Sequence, residues 1–254
     1  MRLDSYLVQE GLVASKEKAQ RLIKEGAVRV GKAVICKAAY QISGDLQVEL
    51  LRDVPYVGRA GEKLAHFLRA HSEISLRGKC VLDIGSSTGG FAQVALQAGA
   101  ERVVCVDVGR GQLHESLRSD TRIELYEETD IRDFACTRVN DLRSDSLGIR
   151  ADYDPLRFPI ILCDVSFISL SKILPEIARL CEYEAILLFK PQFEVGKITK
   201  RNRKGVVLQQ ERVLARLEEF CAECEASGFE VRSREASKLK GKEGNEEFFL
   251  YLRR

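Results

Sequence analysis

Lys190 closes an apolar run, Ala185-Ile186-Leu187-Leu188-Phe189, and Pro191-Gln192-Phe193 follows it. Such a lysine is either a solvated strand end or a cation kept from water for a purpose. Burial or a neighbouring cation lowers the pKa of an ammonium and makes the neutral amine available as a base. Lys63, within Arg59-Ala60-Gly61-Glu62-Lys63-Leu64, is the candidate for that second cation. Asp164 ends another apolar run, Ile160-Ile161-Leu162-Cys163, and could orient Lys190. A carboxylate from Gly244-Asn245-Glu246-Glu247-Phe248 would complete the group. A ribose 2′-OH needs help of this kind to become a nucleophile.

A second constellation points to the other reactant. Val81-Leu82-Asp83-Ile84-Gly85-Ser86-Ser87-Thr88-Gly89-Gly90-Phe91 reads as a strand, a Gly-rich turn and a helix start. Glycine permits the sharp turn and the close approach of backbone to a ligand. A dinucleotide site would read G-x-G-x-x-G. Here the glycines are Gly85, Gly89 and Gly90, with Asp83 two places before the first. That form is typical of methyltransferases, whose cofactor S-adenosylmethionine has no pyrophosphate to cradle. Asp83 can face the amino-acid end of the cofactor, and Ser86, Ser87, Thr88 and Phe91 complete the loop. Asp107, ending the next strand, can accept from a ribose diol. Asp130, after the third strand, can accept from an adenine amine. Any one of these is matched by turn residues in an arbitrary α/β protein. Carboxylates at three successive strand ends make the cofactor reading the stronger one, and Asp164 at the fourth belongs to both constellations.

The target atom follows from what is missing. Base N-methyltransferases commonly carry Asn/Asp-Pro-Pro-Tyr/Phe after the fourth strand to grip a planar amine. This chain reads Asp164-Val165-Ser166-Phe167, without proline. Cytosine C5 methylation needs a nucleophilic cysteine, often in a Pro-Cys pair. Cys163 has apolar neighbours, and strand alternation turns it away from Asp164. A ribose oxygen is the better target.

Elements must hold these groups in place. From Lys79 the candidate strands are Cys80–Ile84, Arg102–Asp107, Ile123–Glu127, Ile160–Asp164, Ala185–Lys190, Glu230–Ser237 and Phe248–Arg253, with helical stretches between most of them. This alternation predicts a Rossmann-like α/β domain with a mostly parallel, doubly wound sheet over residues 60–254. The short connection Lys238–Glu247 makes the last two strands an antiparallel hairpin at one edge. Residues 53–59 form a linker around Asp53–Pro55. Residues 1–52 form a small α+β domain. Leu3, Leu7 and Val8 share one helix face. Ser15 caps a second helix carrying Ala19, Leu22 and Ile23 and ending at Gly26. Short strands follow at Val28–Val30, Val34–Ile35 and Gln47–Leu51, with turns at Gly31–Lys32 and Gly44–Asp45.

The chain resembles the TlyA family of ribosomal RNA 2′-O-methyltransferases, related to the FtsJ (RrmJ) class. RLDSYL, SKEKAQRLIKEGAVRV, YVGRAGEKL, LDIGSSTGGF, VDVGRGQL, CDVSFISL, LLFKPQFEVGK and GNEEFF carry the resemblance, which spans essentially the whole chain. It implies a Lys-Asp-Lys-Glu tetrad on Lys63, Asp164, Lys190 and Glu247. Glu247 is preferred to Glu246 because the family reads Gly-Asn-x-Glu before two aromatics. It also implies S-adenosylmethionine as cofactor, S-adenosylhomocysteine as product, and a cytidine ribose of ribosomal RNA as substrate. Large-subunit RNA is the commoner target, with small-subunit RNA added in some members. Ending right after its last strand, this chain resembles the shorter members restricted to the large subunit. Residues 1–52 resemble the small RNA-binding domain first seen in ribosomal protein S-four.

A net charge of +2 decides nothing about RNA, so the distribution must. Lys16, Lys18, Arg21 and Lys24 crowd the second helix, with Arg2, Arg29 and Lys32 nearby, as a phosphate-binding face would require. On charge alone a solvated helix face is the better reading, since Glu17 and Glu25 dilute the patch; the resemblance reverses that preference. Arg59 and the run Lys197, Lys200, Arg201, Arg203 and Lys204 read as substrate contacts beside the Lys190 motif. Gly196 and Gly205 bracket the run, as expected of a loop that orders on RNA. The target nucleotide must be drawn out of stacked RNA for its 2′-OH to be reached.

Other classes fit less well. No uncharged apolar run reaches the ~18 residues of a membrane span, and the N-terminus lacks a secretory h-region, so a cytoplasmic protein is expected. The eight cysteines include several within apolar runs and read as reduced core thiols. Cys221 and Cys224 lack a second ligand pair, and no metal is expected. A monomer is the working expectation. An RNA-binding assembly factor with a relict cofactor fold would have no use for Lys190 at a buried strand end. A membrane-active haemolysin would need an apolar amphipathic segment that the sequence does not contain.

Overall fold

Leu3 and Leu7 recur at helical spacing, as do Ala19, Leu22 and Ile23. In the computed structural model each set lies on the buried face of a helix, α1 (Leu3–Gln9) and α2 (Lys16–Lys24). The structure describes residues 1–13, 15–24, 26–31, 33–42, 47–51, 56–134, 157–196 and 199–254. Lys32, Lys197, Glu25, Cys136, the Gly44–Asp45 turn and the Asp53–Pro55 junction lie outside them. The chain divides into two compact units, Met1–Gly58 and Arg59–Arg254.

In the first unit, β1 (Val28–Val30) pairs antiparallel with both β2 (Ala33–Val34) and β3 (Val48–Leu50). Val28 and Val30 join the helix residues in one small core. Asp4 is wholly buried between the helices. Arg2 grips it with Nε and Nη2 at 3.0 and 2.8 Å, and Gln20 donates to it at 2.8 Å. The Arg2 guanidinium holds this carboxyl well below the usual carboxylate range. A buried charge needs such partners to be tolerated.

The second unit opens with α3 (Arg59–Ala70). Then follow β4 (Cys80–Ile84), α4 (Gly90–Gln97), β5 (Arg102–Val106), α5 (Glu115–Arg118), β6 (Ile123–Tyr126), β7 (Phe158–Cys163) and α6 (Leu174–Leu180). β8 (Cys181–Phe189), α7 (Pro191–Glu194), α8 (Gln210–Ala226), β9 (Glu230–Ala236) and β10 (Phe248–Arg253) complete it. The seven-stranded sheet has the order β6-β5-β4-β7-β8-β10-β9, with β4 to β8 joined by parallel pairings. Strand order reverses direction at β4, where a doubly wound sheet opens a ligand crevice. β10 runs antiparallel to both β8 and β9. The reversed strand therefore lies one place in from the edge, and β9 is the edge itself. The residues explain this order: Phe248 to Leu252 are all buried, whereas Glu230–Ala236 alternates exposed and half-buried positions. The continuously apolar strand takes the covered place and the charged one takes the rim.

α3 lies against α4 through two glycines. A Cβ on Gly90 would stand 2.7 Å from the Gly61 nitrogen, closer than packing allows. Further along α3, Phe67 stacks on Phe249 of β10 at 4.6 Å. The seven cysteines among the described residues are all free, and Cys105, Cys163, Cys181, Cys221 and Cys224 are buried. Among the described residues no helix is long and apolar enough to cross a membrane.

Candidate active site

Loops at the carboxyl ends of β4, β5, β6 and β7 enclose a cavity of about 270 Å³. Gly85, Ser87, Asp107, Gln112, Asp130 and Asp164 supply its polar lining. Gly85 has φ +79°, and a Cβ there would lie 2.9 Å from the Asp164 carbonyl oxygen. Only glycine lets the ends of β4 and β7 approach this closely; the Asp164 amide donates to the Ile84 carbonyl at 3.0 Å. Asp107 is fixed from two sides, accepting from the Ser87 amide at 2.8 Å and the Gly109 amide at 2.7 Å. The Ser87 hydroxyl also donates to Gln112 at 3.0 Å. Asp130 is clasped by Arg132 through Nε at 2.9 Å and Nη2 at 2.6 Å, which holds its carboxyl below the usual range. Val108, Ile131, Ile168 and Ile173 provide apolar wall. Two fixed carboxylates at neighbouring strand ends, with apolar surface beside them, fit a nucleoside: Asp107 toward a ribose diol, Asp130 toward an exocyclic amine. The residues present thus suit S-adenosylmethionine.

Other parts of the predicted cofactor loop serve the loop rather than the cavity. Asp83, expected to face the amino-acid end of the cofactor, is wholly buried. The Ala92 amide draws the Asp83 carboxyl down. Burial first, and the charge of Asp164 second, push this carboxyl far up. Phe91 is buried and stacks on Phe249 at 6.3 Å. Ser86 is buried, and the Thr88 carbonyl accepts from the His114 amide. A Cβ on Gly89 would meet Leu113 and Leu117.

The four charged residues resolve into two ion pairs. Lys190 Nζ lies 2.7 Å from Asp164 Oδ1, both side chains 12% exposed, and donates to the Ser166 hydroxyl at 2.9 Å. Lys63, one turn into α3, is buried and meets Glu247 Oε2 at 2.5 Å. The expected cation for Lys190 therefore has a carboxylate of its own. Phe248 pairs with Phe189, so Glu247 and Lys190 leave the β10–β8 ladder side by side. Glu246, the alternative carboxylate, instead accepts from Gln210 at 2.9 Å.

Phe167 follows Ser166 in the cavity wall, 91% exposed and at φ +67°. Its ring lies 5.2 Å from that of Phe193. Sequence reasoning passed over Phe167 and Gln112, although CDVSFISL and VDVGRGQL contain them.

The basic residues divide. Lys200, Arg201, Arg203 and Lys204 are exposed on a hydrogen-bonded turn rather than an open loop. Arg201 bridges Val207, and Asn202 Oδ1 accepts from the amides of Lys204 and Val206 at 2.8 and 3.0 Å. Buried Asn245 accepts from the Val207 amide at 2.9 Å and so pins the turn to the segment before Glu247. Arg59 donates to the Lys240 carbonyl at 2.5 Å, which gives it a structural task. In the first unit Lys16 and Lys24 are exposed and Arg21 is half-buried. Lys18 donates to the Tyr56 carbonyl at 3.0 Å, Arg29 pairs with Glu49 at 2.5 Å, and Arg2 is drawn to Asp4.

Residues 56–254 match the FtsJ-like methyltransferase family, and residues 1–48 match the S4 domain. A Campylobacter jejuni protein named 23S rRNA (cytidine-2′-O)-methyltransferase TlyA is 38% identical over 99% of this chain and 98% of its own. A Mycobacterium tuberculosis protein named 16S/23S rRNA (cytidine-2′-O)-methyltransferase TlyA is 36% identical over 99% and 89%. A solved structure from Streptococcus thermophilus, named as a hemolysin, superposes with a TM-score of 0.72 at 32% identity, covering 100% of this chain and 88% of that one.

Proposed function

The chain belongs to the FtsJ-like methyltransferase family, and on that premise we propose that it methylates the 2′-hydroxyl of a cytidine in ribosomal RNA, using S-adenosylmethionine. The observation that carries this reading is the contact of Lys190 with Asp164, which lines the same cavity as Asp107 and Asp130. Large-subunit RNA is the favoured substrate, because the Campylobacter jejuni relative, matched over 98% of its own length, is named for 23S rRNA.

When bound, the cofactor supplies an electrophilic methyl group on a sulfonium. Asp107 and Asp130 hold its nucleoside, and Gly85 lets the backbone lie close to it. Lys190 takes the proton that the 2′-hydroxyl gives up. Asp164, 2.7 Å from Lys190 Nζ, fixes one direction of that nitrogen. Ser166 fixes a second direction of the same nitrogen. Lys63 and Glu247 neutralise each other and so keep a net charge away from the reacting atoms. Phe167 offers an exposed face on which an unstacked base can lie. Residues 1–52 serve as an RNA-binding domain, and the basic turn after Lys190 reaches the phosphates nearby. Ribosomal RNA as substrate puts the enzyme in the cytoplasm.

The test is transfer of labelled methyl onto isolated ribosomal subunits, followed by mapping. A cytidine 2′-O-methyl group is expected; a methyl on a base would overturn the mechanism. Lys190→Ala should abolish transfer and leave cofactor binding within a few-fold, and retained activity would remove Lys190 as the base.

A further inference from the structure

Glu194 ends α7, one turn after Lys190, and is buried. Its Oε2 accepts from the Ser169 hydroxyl at 2.6 Å and its Oε1 from the Leu170 amide at 2.8 Å. Ser169 and Leu170 follow Asp164, Ser166 and Phe167 on the segment leaving β7. One side chain thus ties the segment after β8 to the segment after β7. Between the tied points lies the Lys190–Asp164 contact. Phe167 also lies there, in the left-handed region that a bulky residue occupies only when its surroundings hold it. Phe193, adjacent to Glu194, places its ring against Phe167. Arg216 of α8 reaches the Ser171 hydroxyl and pairs with Glu223 at 2.9 Å, closing the far side. Burial pushes the Glu194 carboxyl up, while Ser169 and Leu170 draw it down. A group buried at such cost has to return something that a surface carboxylate would not.

Building on the ribose methyltransferase reading above, we propose that Glu194 is a positioning residue: it clamps the two strand ends together and thereby sets both the Lys190–Asp164 contact and the presentation of Phe167. It touches neither reactant. Its chemistry is that of two directed hydrogen bonds, so a side chain with the same bonding capacity should replace it and one with only the same bulk should not.

The experiment uses the full chain with Glu194→Gln, which keeps an acceptor for Leu170 and a polar partner for Ser169, and Glu194→Met, which keeps volume alone. For Glu194→Met, kcat for methyl transfer should fall on the order of ten- to a hundred-fold, as expected for a small misplacement of reacting groups. Cofactor affinity should stay within a few-fold. Amide exchange should quicken at residues 164–172 and 190–196 and nowhere else. Glu194→Gln should restore both readouts toward the parent. Unchanged kcat with unchanged local exchange would overturn the proposal. So would a loss of kcat accompanied by faster exchange throughout the core and no rescue by glutamine, the signature of a merely structural role. If the parent transferred no methyl to ribosomal RNA, the function reading would fail while the exchange measurement still judged the clamp. If Glu194→Met did not fold, Ser169→Ala removes one of the same bonds and should give a smaller effect confined to the same segments.

Discussion

Asp164 stands between two acidic-site chemistries: it pairs with Lys190, and its charge bears on the wholly buried Asp83. Burial pushes the Asp83 carboxyl up, and the shift has a definite sign. Above about pH 4 the unfolded chain releases this proton, while the folded chain keeps it until its raised value is passed. Stability should fall as pH rises through that window. Asp83→Asn removes the proton, so thermal melts from about pH 4 to 8 should show the variant gaining on the parent as pH increases. A constant offset would mean Asp83 is ionised in the fold. Asp4 has the opposite sign. Its lowered value gives stability that is present above the unfolded pKa and lost as acid protonates it. Phe167 makes a separate prediction. Phe167→Ala should weaken productive RNA binding by roughly five- to 150-fold, the worth of ~1–3 kcal/mol of base stacking, with cofactor binding intact. Equal KM for RNA in a titration of transfer rates would refute the stacking role.

At the scale of elements, the helix that carries Lys63 is placed by the absence of two side chains. Gly61 and Gly90 let α3 and α4 touch through backbone, and that contact brings Lys63 to Glu247. Gly90→Ala should overpack this contact and cost about 1–3 kcal/mol, read as a lower melting temperature. Because the strain falls on α3, transfer should drop as well. A Gly90→Ala variant as active and as stable as the parent would show that the helices separate freely. The same reasoning covers the sheet: β10 is inner because its residues are apolar throughout, and this brings Glu247 beside Lys190.

At the scale of the whole molecule, each unit presents its own basic surface. Lys16 and Lys24 are exposed in the first, and Lys200, Arg201, Arg203 and Lys204 in the second. Reversing Lys16 and Lys24 to glutamate should weaken ribosomal RNA binding and reduce its salt dependence, by about 0.7–0.9 in log–log slope for each phosphate no longer neutralised. Cofactor affinity should not change. Binding that keeps its full salt slope in filter-binding assays would reject this helix as a phosphate-binding face. Arg2 and Arg29 are poorer candidates than their charge suggested, since Asp4 and Glu49 already engage them.

The strand and helix alternation, the glycine turn after β4, and Lys190 and Asp164 at strand ends were legible in the chain, because periodicity, turn chemistry and breaks in hydrophobicity are local properties. The β8 and β7 ends fell within a residue of where the apolar runs stop. What the tertiary structure alone decided depends on residues far apart in the chain. Lys63 finds Glu247 across 184 positions. Asp83 reads like any strand-end carboxylate until its burial is seen, and Glu194 reads like any surface glutamate until Ser169 and Leu170 are found against it. Desolvation and long-range pairing set the charge and direction of these groups, and neither is written in the spacing of neighbouring residues.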